Sequence, residues 1–161
     1  MNSLLVVYSY HHHNTEKIAA AIAKVLDAPV KTPGEIKPEE LQEYDLVGFG
    51  SGIYAAQHHL RLLNLADALP RVADRKAFLF STCAMQDKDK TAKDHSKLRE
   101  KLQSKGYAIV GEFSSLGFNT NSFMRYLGGM NRGRPNSEDL GHAEEFARDL
   151  KRKAEQVADK M

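Results

Sequence analysis

At 161 residues the chain is long enough for one domain with a sizeable core, and the whole of 1–161 is read as that domain. A formal net charge of +2 is too weak to argue for nucleic acid, and a single cysteine, Cys83, excludes an intramolecular disulfide and fits a reducing cytoplasm. No run of about 18 apolar residues is present to span a membrane, and the N-terminus lacks the basic segment, apolar core and cleavage site of a signal peptide.

In chain order, Leu4–Ser9 is a short, nearly continuous apolar run, the pattern of a strand buried on both faces. Ile18, Ile22, Val25 and Leu26 then give helical spacing over Thr15–Leu26, with Asn14 or Thr15 able to cap it. Pro29–Thr32 suits a short edge strand, and Pro38–Leu41 a brief helical turn with proline in its first turn. Asp45–Ser51 is a second buried strand. His59–Leu69 reads as a helix ended by Pro70. Lys76–Thr82 is a third apolar strand. Lys90–Lys105 reads as a solvated, lysine-rich helix with a narrow seam at Leu98 and Leu102, capped by Gly106. Tyr107–Phe113 supplies the last strand. Ser137–Val157 closes the chain as a helix with a stripe of Leu140, Ala143, Phe146, Ala147, Leu150, Ala154 and Val157.

Strands alternating with helices imply right-handed βαβ units, a parallel sheet and helices on both faces. Ligands of such sheets bind beyond the carboxyl ends of the strands. The informative loops are therefore Ser9–Thr15, Gly50–His58, Thr82–Asp89 and Gly117–Asn136. The first joins a strand's carboxyl end to a helix's amino end, where free N–H groups suit a phosphate. An ordinary strand-to-helix connection is the plainer reading.

Tyr8-Ser9-Tyr10-His11-His12-His13-Asn14-Thr15-Glu16 resembles the phosphate loop of the flavodoxin family, which cradles the phosphate of FMN with a Ser/Thr-rich loop ending in Gly-Asn-Thr. Ser9, Asn14, Thr15 and Glu16 match, while Tyr10, His11, His12 and His13 replace the central threonines and the glycine. Gly50-Ser51-Gly52-Ile53-Tyr54 is similar to the family's loop beside one face of the flavin ring. Ser81-Thr82-Cys83 is similar to the strand end leading to the other face. Gly117-Phe118-Asn119-Thr120 and Gly128-Gly129-Met130-Asn131-Arg132-Gly133-Arg134-Pro135 resemble a less-studied subgroup rather than the short acidic carriers. The resemblance implies an α/β, three-layer, doubly wound fold with a five-stranded parallel sheet in the order 2-1-3-4-5.

It also implies FMN as cofactor, held by Ser9, Tyr10, His11, His12, His13, Asn14 and Thr15 at the phosphate. Around the ring it implies Ser51, Gly52, Ile53, Tyr54, Ser81, Thr82, Cys83, Ala84, Met85 and Phe118. Histidine at His13 lacks glycine's freedom, so the loop is expected to follow a different path. Imidazoles can donate to phosphate oxygens, and at least one of the three histidines is expected to do so, the others facing solvent. A metal site would need His58-His59 to come close as well, and no carboxylate or cysteine partner stands out, so none is expected.

Tyr54 can stack on the ring or pack at a helix start. With no tryptophan in the chain and no aromatic in Cys83-Ala84-Met85-Gln86, the second face is covered by Met85, by Phe118, Phe123 or Tyr126, or left open for a substrate. Cys83 reads as a small packing residue, since a redox thiol would want a resolving partner. The loop Gly117–Asn136, with Arg125, Arg132 and Arg134, reads as a lid or docking surface, or equally as a solvated loop. The implied function is electron transfer with a redox partner protein. The alternative is an FMN-dependent NAD(P)H:quinone-type reductase acting on a small oxidant. A phospho-accepting regulator is disfavoured, because Tyr8 and Ser9 stand where an acidic cluster would be needed.

Overall fold

The computed structural model describes residues 1–9, 13–85, 87–117 and 133–159, with 157–159 as backbone alone. Among these residues six strands form, β1 (Ser3–Tyr8), β2 (Val30–Lys31), β3 (Leu46–Tyr54), β4 (Gln57–His58), β5 (Arg75–Cys83) and β6 (Tyr107–Leu116). Four helices accompany them, α1 (Asn14–Leu26), α2 (Leu60–Ala68), α3 (Lys88–Ser104) and α4 (Ser137–Asp159), with 3-10 turns at Pro33–Glu35 and Pro38–Glu43. No helix among the described residues is long and apolar enough to cross a membrane.

The five strands β2-β1-β3-β5-β6 are mutually parallel, which is the expected order 2-1-3-4-5 with one unforeseen strand in the count. That strand, β4, runs antiparallel to the end of β3 through Ile53–His58 and Tyr54–Gln57. Burial on both faces explains the apolar runs. Leu4, Val6, Val47, Phe49 and Leu79 face α2 and α3 with Leu62, Leu63, Leu98 and Leu102. Leu5, Val7, Phe78 and Phe80 face α1 and α4 with Ile18, Ile22, Ala143, Ala147 and Leu150.

Several boundaries move for identifiable reasons. Gly106 takes φ 98° just after α3, and a Cβ there would lie 2.0 Å from the Val72 carbonyl oxygen, so the expected glycine cap holds. The α3 seam is wider than expected, because Asp94 and His95 are buried above Leu98 and Leu102. β6 runs three residues past Phe113, since Ser114 and Ser115 are buried in the sheet despite their polarity. Its register against β5 also shifts. Ala77 pairs with Ile109, but Phe78 pairs with Gly111, leaving Val110 as an extra residue in a bulge. Beyond the bulge Glu112 pairs with Leu79 and shares its α3-side face.

Two glycines of β3 are required by their neighbours. A Cβ on Gly48 would fall 2.2 Å from the Phe78 ring, and one on Gly50 would fall 2.1 Å from the Phe80 ring. Both rings are fully buried and lie over the bare strand. An apolar cavity of about 190 Å³, lined by Leu46, Lys76, Val110, Leu150, Lys153 and Ala154, sits at the other, amino end of the strands. Gly48→Ala should cost about 1–3 kcal/mol of overpacking in urea unfolding, and Phe78→Leu in the same chain should recover part of it. An unchanged unfolding midpoint in Gly48→Ala would remove this packing account.

Candidate functional site

The carboxyl ends of β1, β3, β5 and β6 bring four connections to one edge of the sheet. After β1, the chain enters α1 through His13 in the left-handed region (φ 53°, ψ 30°), with the His13 carbonyl accepting from the Lys17 N–H. Glycine takes that conformation freely, whereas another residue is strained by about 1–2 kcal/mol. The turn expected of a glycine is thus made at His13 all the same. Its imidazole points outward, with Nδ1 3.0 Å from Glu16 Oε2 and the side chain 70% exposed.

The expectation that Asn14 or Thr15 caps α1 needs correction. His13 precedes the helix without a side-chain cap, and both residues lie buried in its first turn. Each is engaged across the site instead. Thr15 Oγ1 lies 2.8 Å from Thr82 Oγ1, joining α1 to the end of β5. Asn14 packs against Gly117, where a Cβ would come 2.7 Å from its Nδ2. Ser9 is half-buried at the end of β1. Tyr10, His11, His12, Phe118, Phe123, Arg125, Tyr126 and Arg132 lie outside the described residues, as do Gln86 and the motif stretches 119–120 and 128–131.

The second connection is not the loop expected over Gly50–His58. β3 continues through Ser51, Gly52, Ile53 and Tyr54, then folds back as β4. The two-residue turn is Ala55-Ala56, both at positive φ (52° and 59°). Such a hairpin turn normally signals itself with asparagine or glycine, so this one is silent in the sequence. Tyr54 is therefore a strand residue and not the start of a helix. Its ring lies over Gly52 and edge-on to His59 at 5.1 Å between centroids.

His59 also lies tilted against Tyr8, with ring centroids 4.2 Å apart, and the Arg61 guanidinium lies over the Tyr8 ring at 5.8 Å. Its N–H donates to Ser51 Oγ, and its Nδ1 accepts from the Arg61 N–H, which leaves the ring proton of the neutral form on Nε2. Burial, then the Arg61 charge, pushes its pKa down.

At the third connection, the Cys83 thiol donates to the Met85 carbonyl at 2.9 Å, and the Gly117 N–H donates to the Cys83 carbonyl at 3.0 Å. Cys83 is buried, as a packing residue would be, Ala84 is half-buried, and Met85 is 61% exposed. The connection is shorter than expected because α3 starts at Lys88, with Asp87 accepting from the Lys90 N–H. At the fourth, Arg134 is not a free cation. It pairs with Asp139, which also exchanges hydrogen bonds with Asn136 at the start of α4.

Sequence reasoning missed a polar network behind this edge. Ser81 Oγ lies 2.7 Å from His95 Nε2, and His95 Nδ1 lies 2.9 Å from Glu112 Oε1. Arg99 grips both oxygens of Glu112, at 2.8 and 2.9 Å. His58 packs against His95 with ring centroids 4.7 Å apart, and its Nε2 donates to the Phe80 carbonyl at 3.0 Å. Both histidines are fully buried. The signal available was spacing, since His95, Leu98 and Leu102 fall on one helical face.

Burial, followed by repulsion from His95, holds His58 down to about 3. Burial would raise Glu112, but hydrogen bonds from His95 and Arg99 outweigh it and hold its carboxyl down to about 2. Among the described residues no group of three or more His, Cys, Asp or Glu could hold a metal.

The family model of the flavodoxin domain matches residues 5–113. An uncharacterized protein of Methanocaldococcus jannaschii is 39% identical over 150 residues, spanning 93% of this chain and 98% of its own. Oxidised flavodoxin 2 of Bacillus cereus superposes with a TM-score of 0.70 at 19% identity, covering 95% of this chain and 99% of that one. A Fusobacterium nucleatum flavodoxin bound to flavin mononucleotide gives 0.65 at 12% identity, covering 95% and 99%. These two structural likenesses speak to the fold.

The buried histidine gives a pH dependence with a definite sign. A histidine held neutral in the folded state contributes stability that is full above its unfolded value of 6.5 and is lost as pH falls toward about 3. The Glu112 contribution is lost only below its ordinary value of 4.5. Unfolding free energy should therefore fall between pH 6.5 and 4.5, with His58 contributing up to about 1.4 kcal/mol per pH unit and His59 adding in the same direction. Urea unfolding of His58→Gln should be flatter across that window. A slope identical to the parent's would rule His58 out as its source.

Proposed function

The chain belongs to the flavodoxin family, and from that premise we propose that it binds FMN noncovalently and carries electrons through it. The observation that carries this reading is the start of α1, where left-handed His13 and buried Asn14 and Thr15 open the helix's first turn at the carboxyl edge of the sheet. The positive end of a helix and the N–H groups of its first turn suit a phosphate dianion. The donor set fits the cofactor. Ser9 and the opening of α1 would hold the phosphate. Ser51–Tyr54 and Thr82–Met85 would flank the ring, on strands that Ser51–Ser81 and Gly52–Thr82 pairing holds in register.

The flavin supplies the redox chemistry, and the polypeptide sets its orientation, exposure and surrounding charge. Thr15 and Thr82 tie the two halves of the site through one hydroxyl pair. Tyr54 is placed by Gly52 and His59 at the end of β3, where its ring can meet one face of the cofactor. A redox protein is the proposed partner. One observation favours the second reading, a flavin-dependent reductase of a quinone or other small oxidant. No aromatic occurs in the described stretch Thr82–Met85, and Met85 is exposed, which leaves room over that face. Steady-state assays with NADH, NADPH and a quinone separate the two.

If the opening of α1 holds the phosphate, purified protein should bind FMN far more tightly than riboflavin. Thr15→Ala and Ser9→Ala should each weaken FMN by more than they weaken riboflavin, and fluorescence titration reads both. Equal affinity for the two ligands would remove the phosphate assignment, and no binding of either would remove the cofactor.

A further inference from the structure

We propose that the buried pair His58 and His95, braced by Glu112 and Arg99, positions the ring side of the flavin site. The proposal rests on the FMN reading above and adds residues that no resemblance assigns. The hairpin β3–β4 and the end of β5 are the two pieces between which the ring would lie, and each is tied to this network. His58 belongs to β4 and donates through Nε2 to the carbonyl of Phe80 in β5. Ser81, the next residue, is fixed by His95 Nε2. His95 in turn is oriented by Glu112, whose two oxygens are occupied by Arg99.

The pieces need this bracing. Ala55 and Ala56 both hold positive φ, a conformation that alanine leaves unless the surrounding structure imposes it. His58 pairs with Ile53 two residues beyond that turn and is fully buried, so it clamps the return strand from below. Its other ring nitrogen, Nδ1, has no hydrogen-bond partner among the described residues. One directed bond, from Nε2 to Phe80, therefore sets the ring's height. A fold needing only to fill this space would use a leucine, which buries no polar atom without a donor. The network lies on the α3 face of the sheet, whereas α1, with its opening at the phosphate end, packs on the opposite face. The two ends of the site are thus each held mainly by a separate device, with the Thr15–Thr82 contact joining them.

That separation is what the experiment reads. FMN and riboflavin affinities are measured by fluorescence titration in the full-length protein and in His58→Leu, His58→Gln and Glu112→Gln, with cooperative melting as the folding control. Displacing the ring side should weaken both ligands by the same factor, about tenfold in His58→Leu, and should shift the visible absorption of the bound flavin. His58→Gln, whose side-chain amide reaches the same carbonyl, should recover most of the affinity. Glu112→Gln gives up the ion pair with Arg99 and leaves one oxygen for His95 and Arg99 to share, so it should weaken both ligands by an equal but smaller factor.

A folded His58→Leu with parental affinity for both ligands would overturn the proposal, and so would a loss confined to FMN. If His58→Leu does not fold, the comparison passes to His58→Gln and to His95→Gln, which keeps the bond to Ser81 and loses that to Glu112. His95→Gln should then weaken both ligands equally while His58→Gln does not, and parental affinity in His95→Gln would overturn the proposal. A parent that binds neither ligand would instead sink the FMN reading, and this one with it.

Discussion

Phe80 joins the core to the carboxyl edge of the sheet. Its ring fills the space above Gly50 that any side chain on β3 would take, and its carbonyl receives the Nε2 proton of His58 on the other side of the strand. Packing on the α1 and α4 face and hydrogen bonding on the α3 face therefore meet in a single residue. If β5 moved relative to β3, the ring would strike the neighbouring strand and the His58 bond would be lost together. Close-packed interiors transmit displacements of this kind because they hold few voids to absorb them. The edge loops inherit their placement from this fixed pair of strands.

The two ends of the candidate site are built by different physics. At α1 the determinant is backbone conformation. His13 accepts a left-handed turn that favours glycine, its imidazole leaves toward Glu16, and the first turn of α1 opens at the edge. At the hairpin the determinant is a buried polar network, hydrogen-bonded except at His58 Nδ1, where an unpaired acceptor in a low-dielectric interior is a standing cost. Against the burial that would raise it, Glu112 is held as a carboxylate by hydrogen bonds from His95 and Arg99, while burial first, then His95, holds His58 as a neutral ring. The arrangement is self-consistent, with Arg99 supplying the one charge that Glu112 needs.

Much of the fold was legible because burial on both faces writes itself as apolar runs. The Leu4–Val7, Leu46–Phe49 and Ala77–Phe80 segments, and the α1 and α4 stripes, all follow from that rule. What stayed hidden was polar or short. The β3–β4 hairpin turns on Ala55-Ala56, a pair without a turn signature. His95 sits in a helix so rich in lysine that its buried face reads as two leucines. Ser114 and Ser115 continue β6 beyond the Phe113 at which the expected strand ends. At the site, the loop positions could be located, but not their contacts. The Thr15–Thr82 bond and the Asn14–Gly117 packing span residues 67 and 103 apart, and no local pattern encodes such pairs.

The bulge at Val110 couples the length of β6 to its chemistry. Strict alternation from Ile109 would turn Gly111 toward α3 and Glu112 toward Phe146 and Leu150, away from His95 and Arg99. With the extra residue, Val110 and Phe113 both reach the α4 side and Glu112 reaches His95. A one-residue deletion here is consequently not a neutral loop change but an exchange of the strand's inner and outer faces. In a lineage of related chains, strand length at this point and an acid at Glu112 would have to be gained or lost as one heritable unit.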